Sequence, residues 1–124
     1  MIEYTVKVFD NGDRYWYLNG NRHREDGPAW EFTNGTRWWF LNGKRHRIDG
    51  PAIEYADGSR YWYLNGKSHR EDGPAFEHPD GRRSWYLNDV EYTEEEFLKK
   101  TATAKELTVA EIESLLGYPV KVVK

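Results

Sequence analysis

The sequence predicts a mainly β protein: a repeat β-meander of short hairpins with a small helical C-terminal cap. Three observations lead there. A 23-residue phrase occurs three times in register and a fourth time in part. Asn-Gly and Asp-Gly dipeptides punctuate it at fixed offsets. Between these turns lie short runs rich in aromatic and β-branched residues, the composition of strands. Self-similarity at this period marks an array in which each unit buries its apolar face against its neighbours. Such arrays tend to offer an extended binding surface rather than one catalytic pocket.

The phrase is Arg14-Tyr-Trp-Tyr-Leu-Asn-Gly, then His23-Arg, then Asp26-Gly-Pro-Ala29. It returns from Arg37 to Ala52 and from Arg60 to Ala75, and starts again at Arg83-Ser-Trp-Tyr-Leu-Asn. In chain order, residues 2–9 alternate and are β-branched, which predicts a lead-in strand. Each unit then supplies a strand at 14–18, 37–41, 60–64 or 83–87, and a second at 29–32, 52–55 or 75–78. Asn11-Gly12, Asn34-Gly35, Asp57-Gly58 and Asp80-Gly81 favour two-residue type I′ turns, where both residues need positive φ. Asn19-Gly20 and its copies give a second reversal. Asp26-Gly27-Pro28 and its copies give a third, with Pro fixing φ as the next strand starts.

The character changes after Asn88. Thr93-Glu-Glu-Glu96 and Thr108-Val-Ala-Glu111 are capping boxes, so helices are expected to about Lys100 and to Gly117. Val109, Ile112, Leu115 and Leu116 recur at helical spacing as one apolar stripe. Residues 101–105 read as a linker and 118–123 as a last strand. The organisation expected is thus a repeat sheet over 1–92 and a cap over 93–124, in one compact unit. An array needs atypical ends to cover its edges.

Composition narrows the function. The chain has 124 residues, a formal net charge of -3, 16% aromatic residues and no cysteine. A strongly electrostatic nucleic-acid binder would be basic, so no nucleic-acid partner is expected. Without cysteine there is no disulfide and no thiolate metal site. No apolar run is long enough to span a membrane. The start of the chain is unlike a signal peptide, so the expected compartment is the cytoplasm.

A two-residue loop at Asn34-Gly35 would pair Trp30 with Trp39 and Glu31 with Trp38. Cross-strand partners share a face. One face would then carry Trp16, Trp39, Trp62 and Trp85 with Leu18, Leu41, Leu64, Leu87, Trp30, Ile53 and Phe76; this is the expected core. Arg14, Arg37, Arg60 and Arg83 would lie on it, stacked on Phe32, Tyr55 and their neighbours. The other face would carry Tyr15, Tyr17, Trp38, Phe40, Tyr61, Tyr63 and Tyr86, beside Glu31, Glu54 and Glu77. An exposed aromatic stripe flanked by acids is a candidate partner-binding surface. A one-residue slip would exchange the faces.

The repeated His23, His46 and His69 invite a metal reading. Two strands per unit place equivalent positions about 10 Å apart, too far for one site whose ligands sit about 2 Å from the ion. No metal and no cofactor are expected, and each His is expected to bond a turn carbonyl or the Asp of its own unit. Arg24, Arg47 and Arg70 are expected to be solvated, with Asp26, Asp49 and Asp72 capping turn N–H groups; the alternatives are an ion-pair ladder along one edge and an array of Arg and His donors that reads phosphates, which the adjacent acids oppose. The polar residues recur as copies, and none forms a unique nucleophile or acid–base pair. The chain reads as a non-enzyme.

The unit resembles the MORN repeat, and specifically a MORN-like variant, Trp-Tyr-Leu-Asn-Gly-Lys…His-Arg-Glu-Asp-Gly-Pro-Ala, common in bacteriophages and large viruses. The resemblance covers roughly residues 10–92. Ordinary MORN units carry Gly where this chain has Arg24, Arg47 and Arg70. The tail from Leu107 is similar to a short element that ends other phage proteins. The resemblance implies a curved sheet of hairpins, a role in binding proteins or membrane lipids, and no catalytic residues. The expected function is a non-enzymatic protein-interaction module acting on a host or viral protein, such as a phage inhibitor of a host defence protein in the host cytoplasm. Alternatives are a phosphoinositide-type lipid binder and a small-nucleotide sponge. An open sheet edge and an aromatic face also allow a homodimer.

Overall fold

A computed structural model describes residues 3–102 and 108–119. Strand β1 (Tyr4–Val8) lies antiparallel to β2 (Arg14–Leu18). The second half of β2 forms a hairpin with β3 (Asn21–Arg22), while its first half pairs with β4 (Trp30–Glu31). The same plan repeats in β5 (Arg37–Trp38), β6 (Phe40–Leu41), β7 (Lys44–Arg45) and β8 (Ile53–Glu54). It repeats again in β9 (Arg60–Tyr61), β10 (Tyr63–Leu64), β11 (Lys67–Ser68) and β12 (Phe76–Glu77). Strands β13 (Arg83–Leu87) and β14 (Val90–Tyr92) complete the meander. The main sheet runs β1-β2-β4-β5-β8-β9-β12-β13-β14, and β6-β7 and β10-β11 are separate two-stranded ladders.

The expected runs 37–41 and 60–64 are each split at a tryptophan. Trp39 donates its N–H to the Ala52 carbonyl (2.7 Å), and its own carbonyl accepts from the His46 N–H (3.1 Å). The chain thus changes partner at Trp39, leaving the main sheet for its own hairpin. Trp62 does the same with Ala75 and His69.

The turns correct the expected register. Phe32 and Gly35 close a loop of three residues: Phe32 N–H bonds the Thr36 carbonyl, and Gly35 N–H bonds the Phe32 carbonyl, both at 3.0 Å. Gly35 sits at φ 97°. This is a type I turn followed by a left-handed bulge residue. The two-residue type I′ turn is instead at Asn42-Gly43, φ 51° and 79°, between Phe40 and Arg45. Side-chain capping favours the longer loop. Asn34 Oδ1 accepts from the Thr36 N–H (2.9 Å), and Thr36 Oγ1 accepts from Ala56 N–H in the next unit (3.1 Å). Asp13 plays that role for Thr33 N–H (2.9 Å), which holds its carboxyl below the ordinary value of 3.8. In the third unit the acceptor's target is Pro79, which has no N–H; Ser59 Oγ lies 3.5 Å from His78 Nδ1 instead.

One residue of slip moves every side chain of the second run to the other face. Trp30 faces Trp38 and Glu31 faces Arg37. Trp30, Ile53 and Phe76 therefore join Trp38 and Tyr61, and the glutamates join the tryptophan face. The core sits between the main sheet and the hairpins: Phe40 and Ile53 are 1% exposed, and Ala29, Ala52, Ala75 and Tyr63 are buried.

Helix α1 (Glu94–Thr101) begins at Thr93 with the expected capping box and packs on β13 and β14, burying Phe97. Thr93 occupies the repeat position of Arg24, Arg47 and Arg70, so the helix starts where a fourth arginine would stand. Thr101, expected in a linker, is the last residue of α1. Helix α2 (Val109–Leu116) also opens on a capping box and ends on Gly117 in the left-handed conformation; none of its residues is buried. Ala102 caps α1, and residues 103–105 of the expected linker and most of the expected last strand lie outside the described residues.

The repeated histidines tie unit to unit. His23, His46 and His69 each accept, through Nδ1, the backbone N–H of Asn42, Asn65 and Asn88 at 2.9, 2.9 and 3.0 Å. The acceptor role places the ring proton on Nε2, which faces Glu25 and Glu71 in the outer units (3.4 and 3.3 Å). The expected turn carbonyl or Asp partner is thus replaced by the next unit's backbone. His46→Leu leaves the Asn65 N–H without its acceptor, which should cost about 1–2 kcal/mol. Hydrogen exchange would read it as lost protection at the Asn65 amide; unchanged protection would mean the bond contributes nothing.

Candidate interaction surface

The aromatic residues expected to bind a partner do share one face, but that face is largely spent on the core. Phe40 and Tyr63 are buried and cannot contact a partner in this fold. Tyr15, Tyr17, Trp38, Tyr61 and Tyr86 are half-buried. Their rings pack in sequence: Tyr15 on Trp30 (5.0 Å), Trp30 on Phe40 (4.9 Å), Tyr61 on Phe76 (4.7 Å) and Phe76 on Tyr86 (4.8 Å). Arginines cover two of them, with Arg22 4.5 Å above Phe40 and Arg45 4.1 Å above Tyr63. Glu31, Glu54 and Glu77 lie across the sheet from this row because of the slip. Arg14 and Arg37, expected to stack on core rings, are instead exposed and ion-paired with Glu31 and Glu54.

On the tryptophan face, Arg24, Arg47 and Arg70 organise each unit. Their guanidinium carbons lie 4.0, 3.9 and 3.8 Å above the rings of Trp16, Trp39 and Trp62. Within the second unit, Arg47 Nε donates to Asp49 (3.0 Å), and Nη1 donates to the Pro51 carbonyl (3.1 Å) and to Glu54 (3.2 Å). The first and third units repeat these bonds with Asp26, Pro28 and Glu31, and with Asp72, Pro74 and Glu77. The arginines are therefore half-buried and paired rather than solvated, and the bond from Arg24 holds the Asp26 carboxyl below its ordinary range. The glycine of each Asp-Gly-Pro is explained too. A Cβ on Gly50 would meet the Arg47 guanidinium carbon at 3.0 Å. Sequence reasoning noticed Trp, Arg, Asp-Gly-Pro and Glu separately; their shared 23-residue period was the signal that they form one assembly.

Between successive units this face opens into two like clefts. The first, 590 Å³, is lined by Arg24, Pro28, Trp39, Leu41, His46 and Ile48 among others. The second, 730 Å³, is lined by the equivalents Arg47, Pro51, Trp62, Leu64, His69 and Glu71, and again by Ile48. Ile48 replaces the glutamate of the other units. It is 85% exposed on the wall shared by both clefts. The exchange also leaves His46 Nε2 without the carboxylate that His23 and His69 face, an outward donor beside an apolar side chain. A smaller cleft of 320 Å³ on the opposite face is lined by Arg22, Lys44 and Arg45 with Trp38 and Phe40, and no carboxylate.

The fold and these clefts define a tandem β-hairpin array with a repeated groove. No family model matches the chain, and no curated protein or solved structure is significantly similar to it. Among the described residues no helix is long and apolar enough to cross a membrane.

Proposed function

We propose that the chain is a non-enzymatic interaction module that grips an extended segment of a protein partner in the paired clefts of its tryptophan face. The observation that carries this is the exposed Ile48, standing where a glutamate stands in the other units, on the wall common to both clefts. With Trp39 and Leu41 in one cleft and Trp62 and Leu64 in the other, Ile48 completes an apolar lining that a partner's side chains would cover. The repeat also sets the partner's shape. Successive clefts lie two strands apart, about 10 Å. A polyproline-II segment rises about 3.1 Å per residue, so its side chains at i and i+3 would enter neighbouring clefts. The resemblance to repeats of bacteriophage type extends the reading to a host protein that the module binds and blocks in the host cytoplasm.

Selection of a random peptide library on the immobilised chain tests it. Enriched peptides should carry apolar residues at i and i+3, and Ile48→Asp should cut their affinity at least about tenfold with an unchanged melting temperature. No enrichment, or enrichment that ignores Ile48→Asp, would reject the site. A second reading rests on the 320 Å³ cleft, where three cations and no carboxylate suit a phosphorylated small ligand or lipid headgroup. A nucleotide- or phosphoinositide-induced rise in melting temperature, lost in Arg45→Ala, would favour it.

A further inference from the structure

We infer that two copies of this chain join edge to edge through β1, making one continuous antiparallel sheet. The two ends of the array are finished differently. At one end β14 is only three residues long, and α1 packs beside it. At the other, β1 is a five-residue edge, exposed along its whole length, and among the described residues no strand pairs with its outer side. It has no proline and no bulge, and Lys7 is its one charged residue. Tyr4, Val6 and Val8 stay 40%, 39% and 66% exposed there.

The register of the pairing follows from the backbone. Phe9 N–H bonds the Asp13 carbonyl (2.9 Å), so Phe9 and Asp13 are a hydrogen-bonded pair. Such pairs alternate along an antiparallel ladder. Lys7 and Thr5 therefore turn their backbone groups toward β2, while Tyr4, Val6 and Val8 turn theirs outward. A second β1 running antiparallel, with Thr5 opposite Thr5 on the two-fold axis, exchanges backbone bonds between Tyr4 and Val6 of the two copies. That register sets Glu3 of each copy opposite Lys7 of the other. It gives two opposite-charge pairs, two aromatic–β-branched pairs and a central threonine pair, all of the kinds that stabilise antiparallel neighbours. A register centred on Val6 loses both charge pairs. The two-fold interface is self-complementary, as a closed dimer requires.

Sedimentation equilibrium of the 124-residue chain tests this. The wild type should show a species at twice the 14.7 kDa chain mass in the micromolar range. Lys7→Glu gives up the exposed contact over Tyr17, so it should leave the circular dichroism spectrum of the dilute monomer unchanged and lower its melting temperature only slightly. It should raise the dimer dissociation constant at least about tenfold by setting like charges opposite each other twice. Adding Glu3→Lys to Lys7→Glu should restore the dimer. A wild type that stays monomeric at 200 µM, roughly −5 kcal/mol of association at most, overturns the inference. So does a dimer indifferent to Lys7→Glu, or one that the double variant fails to rescue.

Discussion

Arg47→Ala should destabilise the chain by about 3 kcal/mol, lowering the melting temperature by about 10 °C. The side chain stacks on Trp39, bonds Asp49, Glu54 and the Pro51 carbonyl, and is largely shielded from water. A charged hydrogen bond contributes about 1.5–3 kcal/mol, and a cation over an aromatic face about 0.5–2 kcal/mol. Partial exposure reduces both, which is why the sum is not expected in full. Removal also frees Glu54 from its better partner, since Arg37 lies 3.9 Å from it. Arg47→Lys should recover less than half of the loss, because an ammonium offers neither a plane to stack nor a fork to bridge. Arg37→Ala is the control: an exposed ion pair contributes about 0–1 kcal/mol. Urea unfolding of the three variants reads the difference. Equal losses for Arg37→Ala and Arg47→Ala would mean that stacking and burial do not distinguish them.

Phe40→Ala should cost about 3–5 kcal/mol, the range for truncating a buried aromatic side chain. The ring is 1% exposed and touches Trp30, Trp38 and the Arg22 guanidinium, each from a different segment. Its loss opens a cavity between the main sheet and the hairpin row at the middle of the array, where two neighbours depend on the unit. Tyr17 is the equivalent residue at the array's end. It is half-buried under Lys7 at 5.1 Å, so Tyr17→Ala should cost about 1–2 kcal/mol less. A loss at Phe40 no greater than at Tyr17 would contradict the placement of the core.

The candidate surface was only half legible in the sequence. Alternation within Arg-Tyr-Trp-Tyr-Leu correctly put Tyr15, Tyr17, Trp38, Phe40 and Tyr61 on one face, because period two is a property of the strand itself. Which face is the interior depends on the loop joining two strands, and Asn-Gly fits both a two-residue turn and a three-residue turn with a bulge. Asn34 favours the longer loop from within it by accepting the Thr36 N–H, and Thr36 Oγ1 then accepts the Ala56 N–H of the next unit. The second bond lies outside any window of local sequence. The clefts were invisible for a related reason: Arg24 meets Trp16, Glu31 and the Pro28 carbonyl only once the strands are stacked.

By itself the sequence determined the 23-residue unit, where its strands and reversals fall, the capped starts of both helices at Thr93 and Thr108, and the mainly β class. These follow from short-range chemistry: alternation, positive φ at Gly and Asn, and side chains that cap nearby N–H groups. Only the tertiary structure decided that Phe40 and Tyr63 join Ile53 in the core, that the glutamates face the tryptophans, and that Ile48 stands on a wall shared by two clefts. Those outcomes rest on register and on contacts between units, where a shift of one residue exchanges inside for outside.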